Sequence, residues 1–287
     1  MKIPVIFILY FSLAGLLHGQ ETLADLAEET QEKEYVISTF KATRLINGQS
    51  VENPGKQELI FIISHRFGRI DNGIYDLFGM DNATIRLGLE YGINERLALG
   101  IGRNSYNKTF DGFIKYQLLK QHTGISNLPF SLTLYSNVTA NSLRNFDYHD
   151  AIKFKHRLSY SNQILLASKL NTSFSLQFMT IHLHNNLVQY SDDPNDMIIL
   201  GAGGRFMITR RLSLNTEYYY LLNKPEGDFN PRLFSAGFDI ETGGHVFQLF
   251  FSNTQPHYER AMFTENTSRW LSGDIYFGFN ISRTFSL

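Results

Sequence analysis

From residue 58 onward, apolar and polar side chains alternate with a period of two in twelve stretches. They are Glu58–Phe67, Ala83–Ile93, Arg96–Tyr106, Thr109–Leu119, Phe130–Ala140, Ile152–Ser168, Thr172–Leu183, Met197–Thr209, Leu212–Leu222, Leu233–Thr242, His245–Thr254 and Gly273–Leu287. Each predicts a β-strand, because successive side chains of an extended chain point to opposite faces. The second is the cleanest: Ala83, Ile85, Leu87, Leu89, Tyr91 and Ile93 alternate with Thr84, Arg86, Gly88, Glu90 and Gly92. In the last, Ile275, Phe277, Phe279, Ile281, Phe285 and Leu287 share one parity, and Tyr276, Gly278, Asn280, Ser282 and Thr284 the other. In a soluble protein so apolar a strand would be an aggregation-prone edge. In a closed barrel within a membrane it is a stave against lipid. Most stretches have about ten to twelve residues, close to the roughly 9–11 that a tilted spanning strand requires.

The links between stretches alternate in length. Short ones fall at Asn94-Glu95, Lys169-Leu170-Asn171, Arg210-Arg211 and Gly243-Gly244, with a medium one at Lys120–Pro129. Longer ones fall between them, at Gly68–Asn82, Asn141–Ala151, His184–Asp196, Asn223–Arg232 and Gln255–Ser272; only Asn107-Lys108 is unexpectedly tight. Short periplasmic turns and long external loops mark outer-membrane barrels. The expected fold is therefore all-β, a transmembrane antiparallel up-and-down β-barrel of about 12 strands. Val36–Val51 has some strand character but ends in the turn signals Asn47-Gly48 and Asn53-Pro54-Gly55. Counting it as a strand would make the total odd, so it is assigned to the periplasmic side or the barrel mouth.

The first residues complete the expected organisation. Met1-Lys2, an apolar run from Ile3 to Leu17 and the small or polar Gly19-Gln20 read as a cleaved signal peptide over 1–20. Residues 21–56 form an acidic lead-in and a mouth or plug segment, and 57–287 the barrel. This places the protein in the outer membrane of a Gram-negative bacterium, with outer-membrane lipid and lipopolysaccharide as its surroundings. Charged residues make up 18% and aromatics 14%, against a usual charged share of about 25%, which suits a barrel in lipid. With no Cys, disulfides and thiolate chemistry are absent, and a net charge of −1 offers no footprint for nucleic acid.

A Lys or Arg facing lipid at mid-membrane costs about 2–4 kcal/mol, so the apolar parity must face out. That turns Arg66, Arg86, Glu90, Asp111, Lys115, Lys153, Lys155, Arg157, Arg205, Glu217, Asp239 and Glu241 inward as candidate pore-lining residues, with Glu58 and Asp274 on the same parity. Ser131, Thr133, Asn137, Ser159, Gln163, Ser175, Gln177, Ser213, Asn215 and Asn280 join them. Two readings follow: charges that pair across the lumen and merely fill it, or a wet pore whose charges select solutes. Lys153, Lys155 and Arg157 form a basic ladder near the external end of one strand, suited to anionic solutes or lipopolysaccharide phosphate. Tyr91, Tyr116, Tyr160, Tyr218 and Tyr220 fall on the outward parity, as in an interfacial girdle.

The chain offers little for catalysis. Ser64 and His65 are adjacent, so their side chains point to opposite faces of a strand and cannot form a nucleophile–base pair. No Gly-x-Ser-x-Gly is present. His182 and His184 share one strand face, a candidate metal pair without a further ligand, for which interfacial histidines are the plainer explanation. Ser191-Asp192-Asp193-Pro194-Asn195-Asp196 could hold calcium, though a solvated acidic turn explains it as well. No catalytic, cofactor or metal residue is therefore assigned, and no cofactor is expected.

Several runs carry a resemblance: Phe40–Asn47 with Gln49–Glu52, Ser64–Gly68, Leu77–Ala83, Arg86–Gly92 and Gly100–Arg103. They resemble an outer-membrane β-barrel family of Bacteroidetes-type Gram-negative bacteria, known only as a domain of unknown function. The resemblance implies barrel and location, brings no substrate or active site, and marks Phe40–Glu52 as a plug or a contact for a periplasmic partner. The expected function is a pore or channel for small solutes. The alternative is a barrel without transport that anchors or scaffolds a protein partner.

Overall fold

A computed structural model describes residues 32–144, 152–188, 190–223 and 229–287. The expected signal peptide, and the lead-in up to residue 31, lie outside them. Contacts divide the chain into two units. In the smaller, Glu34–Tyr35 pairs antiparallel with His122–Thr123, and the Tyr35 and His122 rings meet edge-to-face at 5.5 Å.

The larger unit, Ile37–Lys120 with Phe130–Leu287, carries the barrel. Its strands are β1 (Glu58–Arg69), β2 (Ala83–Gly92), β3 (Leu97–Asn104), β4 (Thr109–Leu119), β5 (Ser131–Asn141) and β6 (Leu158–Lys169). They continue as β7 (Phe174–Asn185), β8 (Asp196–Met207), β9 (Leu212–Leu221), β10 (Arg232–Thr242), β11 (His245–Ser252) and β12 (Tyr276–Ser286). Each pairs antiparallel with the next, and β12 pairs with β1 from Ser286↔Glu58 to Tyr276↔Arg69, so the barrel closes with no free edge. Closure satisfies every ladder in a solvent that cannot hydrogen-bond. The end where β1 begins and β12 finishes is here the terminal rim; the opposite end, with the longer connections, is the loop rim.

The parity follows the lipid-cost argument. Leu87, Leu89, Ile101, Ile114, Leu134, Ile164, Phe178, Phe238, Leu249 and Phe251 are exposed on the outer face, and Tyr91, Tyr116, Tyr218 and Tyr220 share it. Arg103 and Arg283 also face out, near opposite rims. Each guanidinium lies over an aromatic ring, Arg103 at 5.4 Å from the Phe110 centroid and Arg283 at 5.0 Å from that of Phe285. Stem and ring stay apolar while the charge reaches the interface.

Two expectations change. The sixth strand begins at Leu158, not Ile152, and a short 3₁₀ turn, Phe154–Arg157, precedes it. Lys153, Lys155 and Arg157 thus belong to the loop rim, and the basic ladder inside the lumen does not exist. The reason is pairing: β6 meets β5 last at Ala140↔Leu158 and β7 last at Ser159↔Asn185, so the Lys153–Arg157 backbone has no ladder to join. The Arg157 side chain instead bonds the Asn141 and Leu143 carbonyls at 3.2 and 2.8 Å. Asp274 likewise lies before β12 and pairs with Arg69 at 2.5 Å.

Candidate functional site: the occupied lumen

Polar side chains on the inner face would leave a wet bore if nothing else entered. Residues 40–52 enter it from the terminal rim as a hairpin. Leu45 N–H donates to Gly48 O and Ser50 N–H to Thr43 O, both at 2.9 Å, with Arg44 and Gln49 bridged between them. The sequence supports this locally, since Asn47-Gly48 is a turn pair. Gly48 is also required sterically: a Cβ there would lie 1.8 Å from the Tyr219 hydroxyl oxygen.

The hairpin tip is held by one carboxylate. Glu217 on β9 accepts from Asn47 N–H at 2.9 Å, from Asn47 Nδ2 at 2.8 Å and from Gly48 N–H at 3.1 Å. Asn47 Nδ2 also reaches Ser235 at 2.8 Å and Ser252 at 3.3 Å, while Arg66 donates to Asn47 Oδ1 at 3.0 Å. Further along, Gln248 donates to Leu45 O at 2.8 Å and Asn280 to Ile46 O at 2.9 Å. Gln177 both accepts from Val51 N–H at 2.9 Å and donates to Gln49 O at 2.8 Å. Lys115 caps the Glu52 and Thr43 carbonyls at 2.5 and 3.2 Å, and Thr133 bonds Val51 O at 3.1 Å. Backbone groups that would be stranded inside a membrane thus find partners on β4, β5, β7, β9, β11 and β12, and the Asn47 side chain adds β1 and β10.

A second insert descends from the loop rim. The β11–β12 connection, residues 253–275, carries a short helix α1 (Glu259–Thr264) and buries His257, Tyr258, Ala261, Met262 and Phe263. Glu259 accepts from Gln163 at 3.1 Å, Asn107 donates to the Tyr258 hydroxyl at 3.1 Å, and Thr84 shares a 3.1 Å hydrogen bond with His257 Nε2. Burial, reinforced by the charge of Arg66, holds the His257 imidazole well below its ordinary range, so the ring is neutral. Met262 and Phe263 from this loop, and Phe40, Leu45 and Val51 from the hairpin, belong to one apolar cluster. Its wall is Leu165, Met179, Ile181, Leu183, Met197, Ile199, Leu221 and Leu233 on β6–β10.

The inner face is therefore split. Opposite the apolar wall, Arg86 forms a buried bidentate pair with Asp111, at 2.9 Å through Nε and 2.5 Å through Nη2. Arg66 lies over the Phe250 ring at 4.2 Å and bonds Asn280 at 3.0 Å. Of the candidate pore-lining residues, Arg66, Arg86, Glu90, Asp111, Lys115, Arg205, Glu217 and Asp239 are buried on the inner face. Glu241 sits at the terminal rim, paired with Lys41 of the hairpin stem. Lys153, Lys155 and Arg157 are outside. The interior positions are brought together around the hairpin rather than around an open channel. Sequence reasoning missed the apolar wall, though a signal existed: Ile164-Leu165-Leu166-Ala167 and Met197-Ile198-Ile199-Leu200 are continuous apolar runs, the mark of strands buried on both faces.

Ser64 is buried inside while the His65 ring stacks outside on Phe279, at 5.0 Å between centroids, so the two are apart as parity requires. His182 and His184 face outward, and both donate to Asp196 Oδ1, at 2.9 and 2.8 Å. The acidic loop is a turn with local bonds: Asp193 accepts from Tyr190 N–H at 3.1 Å.

Among solved structures the fold is similar to the KdgM porin, at 7% identity and a TM-score of 0.47, covering 79% of this chain and 99% of that one. It is also similar to the COG4313 outer membrane channel from Pseudomonas putida F1, at 16% identity and 0.45, covering 82% and 98%. LpxR from Salmonella typhimurium matches at 14% and 0.38, covering 80% and 100%. These likenesses are of barrel architecture alone. No curated protein matches the sequence. Residues 40–285, from the start of the hairpin to the end of the last strand, match the family described as membrane bound beta barrel domain (DUF5777). Hairpin and barrel thus fall within a single domain, and the chain belongs to that family of membrane-bound β-barrels.

Proposed function

We propose that this protein is an outer-membrane channel for small solutes, held shut by its own hairpin 40–52. The outer membrane is the compartment that a closed, lipid-faced barrel with alternating short and long connections suits. One observation carries the channel reading. The lumen is filled by inserted segments, the hairpin that precedes the barrel and loop 253–275 from the other rim, and the hairpin is held to the wall through individual polar bonds. About eight strands leave an interior that side chains fill, whereas twelve make a wider bore. The hairpin is tied to the wall only non-covalently, so its withdrawal, with displacement of loop 253–275, opens a passage lined by Arg66, Lys115, Glu217, Asp239 and their polar neighbours. No nucleophile–base pair is assigned, and the reading is non-enzymatic.

Planar-bilayer recording of the refolded protein tests it. The intact barrel should be mostly silent with rare openings, and a variant lacking residues 40–52 should show reproducible steps. A folded deletion variant that never conducts would overturn the channel and favour the anchor.

A further inference from the structure

The outer face is apolar almost everywhere, yet on β5–β7 its middle is polar. Ser136, Asn162 and His182 are register partners on three adjacent strands, with Thr180 two residues from His182 on the same face. Ser136, Asn162 and Thr180 are exposed. The Ser136 hydroxyl donates to Asn162 Oδ1 at 2.8 Å. Among the described residues the Asn162 amide N–H groups and the Thr180 hydroxyl take no protein partner. The row floors a shallow depression of about 420 Å³, flanked by Ile114 and Leu134. Behind it, the inner face is polar on β5 (Thr133, Asn137) and around Gln163, and turns apolar at Leu165 on β6 and Met179, Ile181 and Leu183 on β7.

Depth decides what can cover the row. With a rise of ~3.3 Å per residue and a tilt of ~40°, Asn162 lies about 10 Å and Thr180 about 13 Å below the loop-rim ends of their strands. The apolar belt is only about 25 Å tall, so Thr180 is near its middle. Acyl chains offer no donor or acceptor there, and leaving polar groups unmet in hydrocarbon costs several kcal/mol. Headgroups do not reach that depth. The cover is therefore protein with polar groups at the same level of the same bilayer.

We infer that the β5–β7 face is the interface between two copies of this chain. A second copy inserted in the same orientation carries the same row at the same depth. A two-fold axis along the membrane normal sets Asn162 against Asn162, an amide that both donates and accepts. Ser136, Asn162 and Thr180 are uncharged, and the Asp196 carboxylate that borders the row toward the loop rim is held by His182 and His184 of its own chain. The depression receives the side chains of the partner's face.

The chain has no cysteine, so a single introduced one reports contact cleanly. In membranes, Asn162→Cys should give a disulfide-linked dimer on mild oxidation, several-fold more than Ile63→Cys on the far side of the barrel. Light scattering in mild detergent should show a dimer for the unaltered protein and a monomer for Ser136→Ala/Asn162→Leu/Thr180→Val. Heat-modifiable gel mobility verifies that each variant is folded. A monomer with no cross-link at position 162 overturns the inference, as does equal cross-linking at position 63. So does a monomer that retains tightly bound lipid or a different protein on this face.

Discussion

Glu217 concentrates the attachment of the hairpin tip: three N–H groups from Asn47 and Gly48 converge on its carboxylate. Hydrogen bonds to a charged group contribute about 1.5–3 kcal/mol each and are not additive. Glu217→Gln keeps the size but turns an amide toward donors. It should weaken seating by about 3 kcal/mol and raise the open fraction on the order of 100-fold, read as channel open probability. Arg86 and Asp111 make a different kind of statement. Their pair is fully buried, and removing one partner strands a charge, at a cost of about 3–5 kcal/mol. Arg86→Met should lower the urea midpoint of the barrel in lipid vesicles, and adding Asp111→Leu should restore most of it.

At the scale of elements, the inserted loop 253–275 is a neutral-histidine device. His257 is held neutral by burial, its folded-state pKa below that of a solvated loop. The histidine's contribution to the seated loop is therefore fully present above about pH 6.5 and is lost as pH falls below that. Glu259, whose carboxyl burial pushes up, works in the opposite sense: its contribution is lost as pH rises. Comparison with His257→Asn isolates the histidine. Protease cleavage of the loop should speed up from pH 7.5 to about 5.5 in the parent and change far less in the variant.

The strands were legible because lipid imposes a strict period of two, and β4 runs from Thr109 to Leu119 as its alternation predicts. Lys153–Arg157 misled because alternation cannot reveal that both neighbouring strands have ended. The hairpin 40–52 showed only as turn chemistry and weak strand character. Its partners are scattered side chains on most of the twelve strands, and nothing in a linear pattern brings Asn47 to Glu217 or Lys115 to Glu52. The apolar wall on β6–β10 was partly legible, since Met197–Leu200 lacks alternation altogether. What it faces was not, because the covering residues, Leu45 and Phe263, lie far away in sequence.

The larger unit is a barrel wider than its own side chains fill, stoppered from one rim by the segment that precedes it and covered from the other by its longest loop. Charge parity, closure and the buried polar network all follow from that arrangement. The central claim is that the hairpin moves. Asn47 and Ser252 side chains meet at 3.3 Å in a chain with no native cysteine, so Asn47→Cys/Ser252→Cys can fasten the tip to β11. Single-channel recording of this variant, before and after reduction, is the most direct measurement. Silence while oxidised and discrete conductance steps once reduced are the predicted result. Identical traces in the two states, whether silent or conducting, would contradict it.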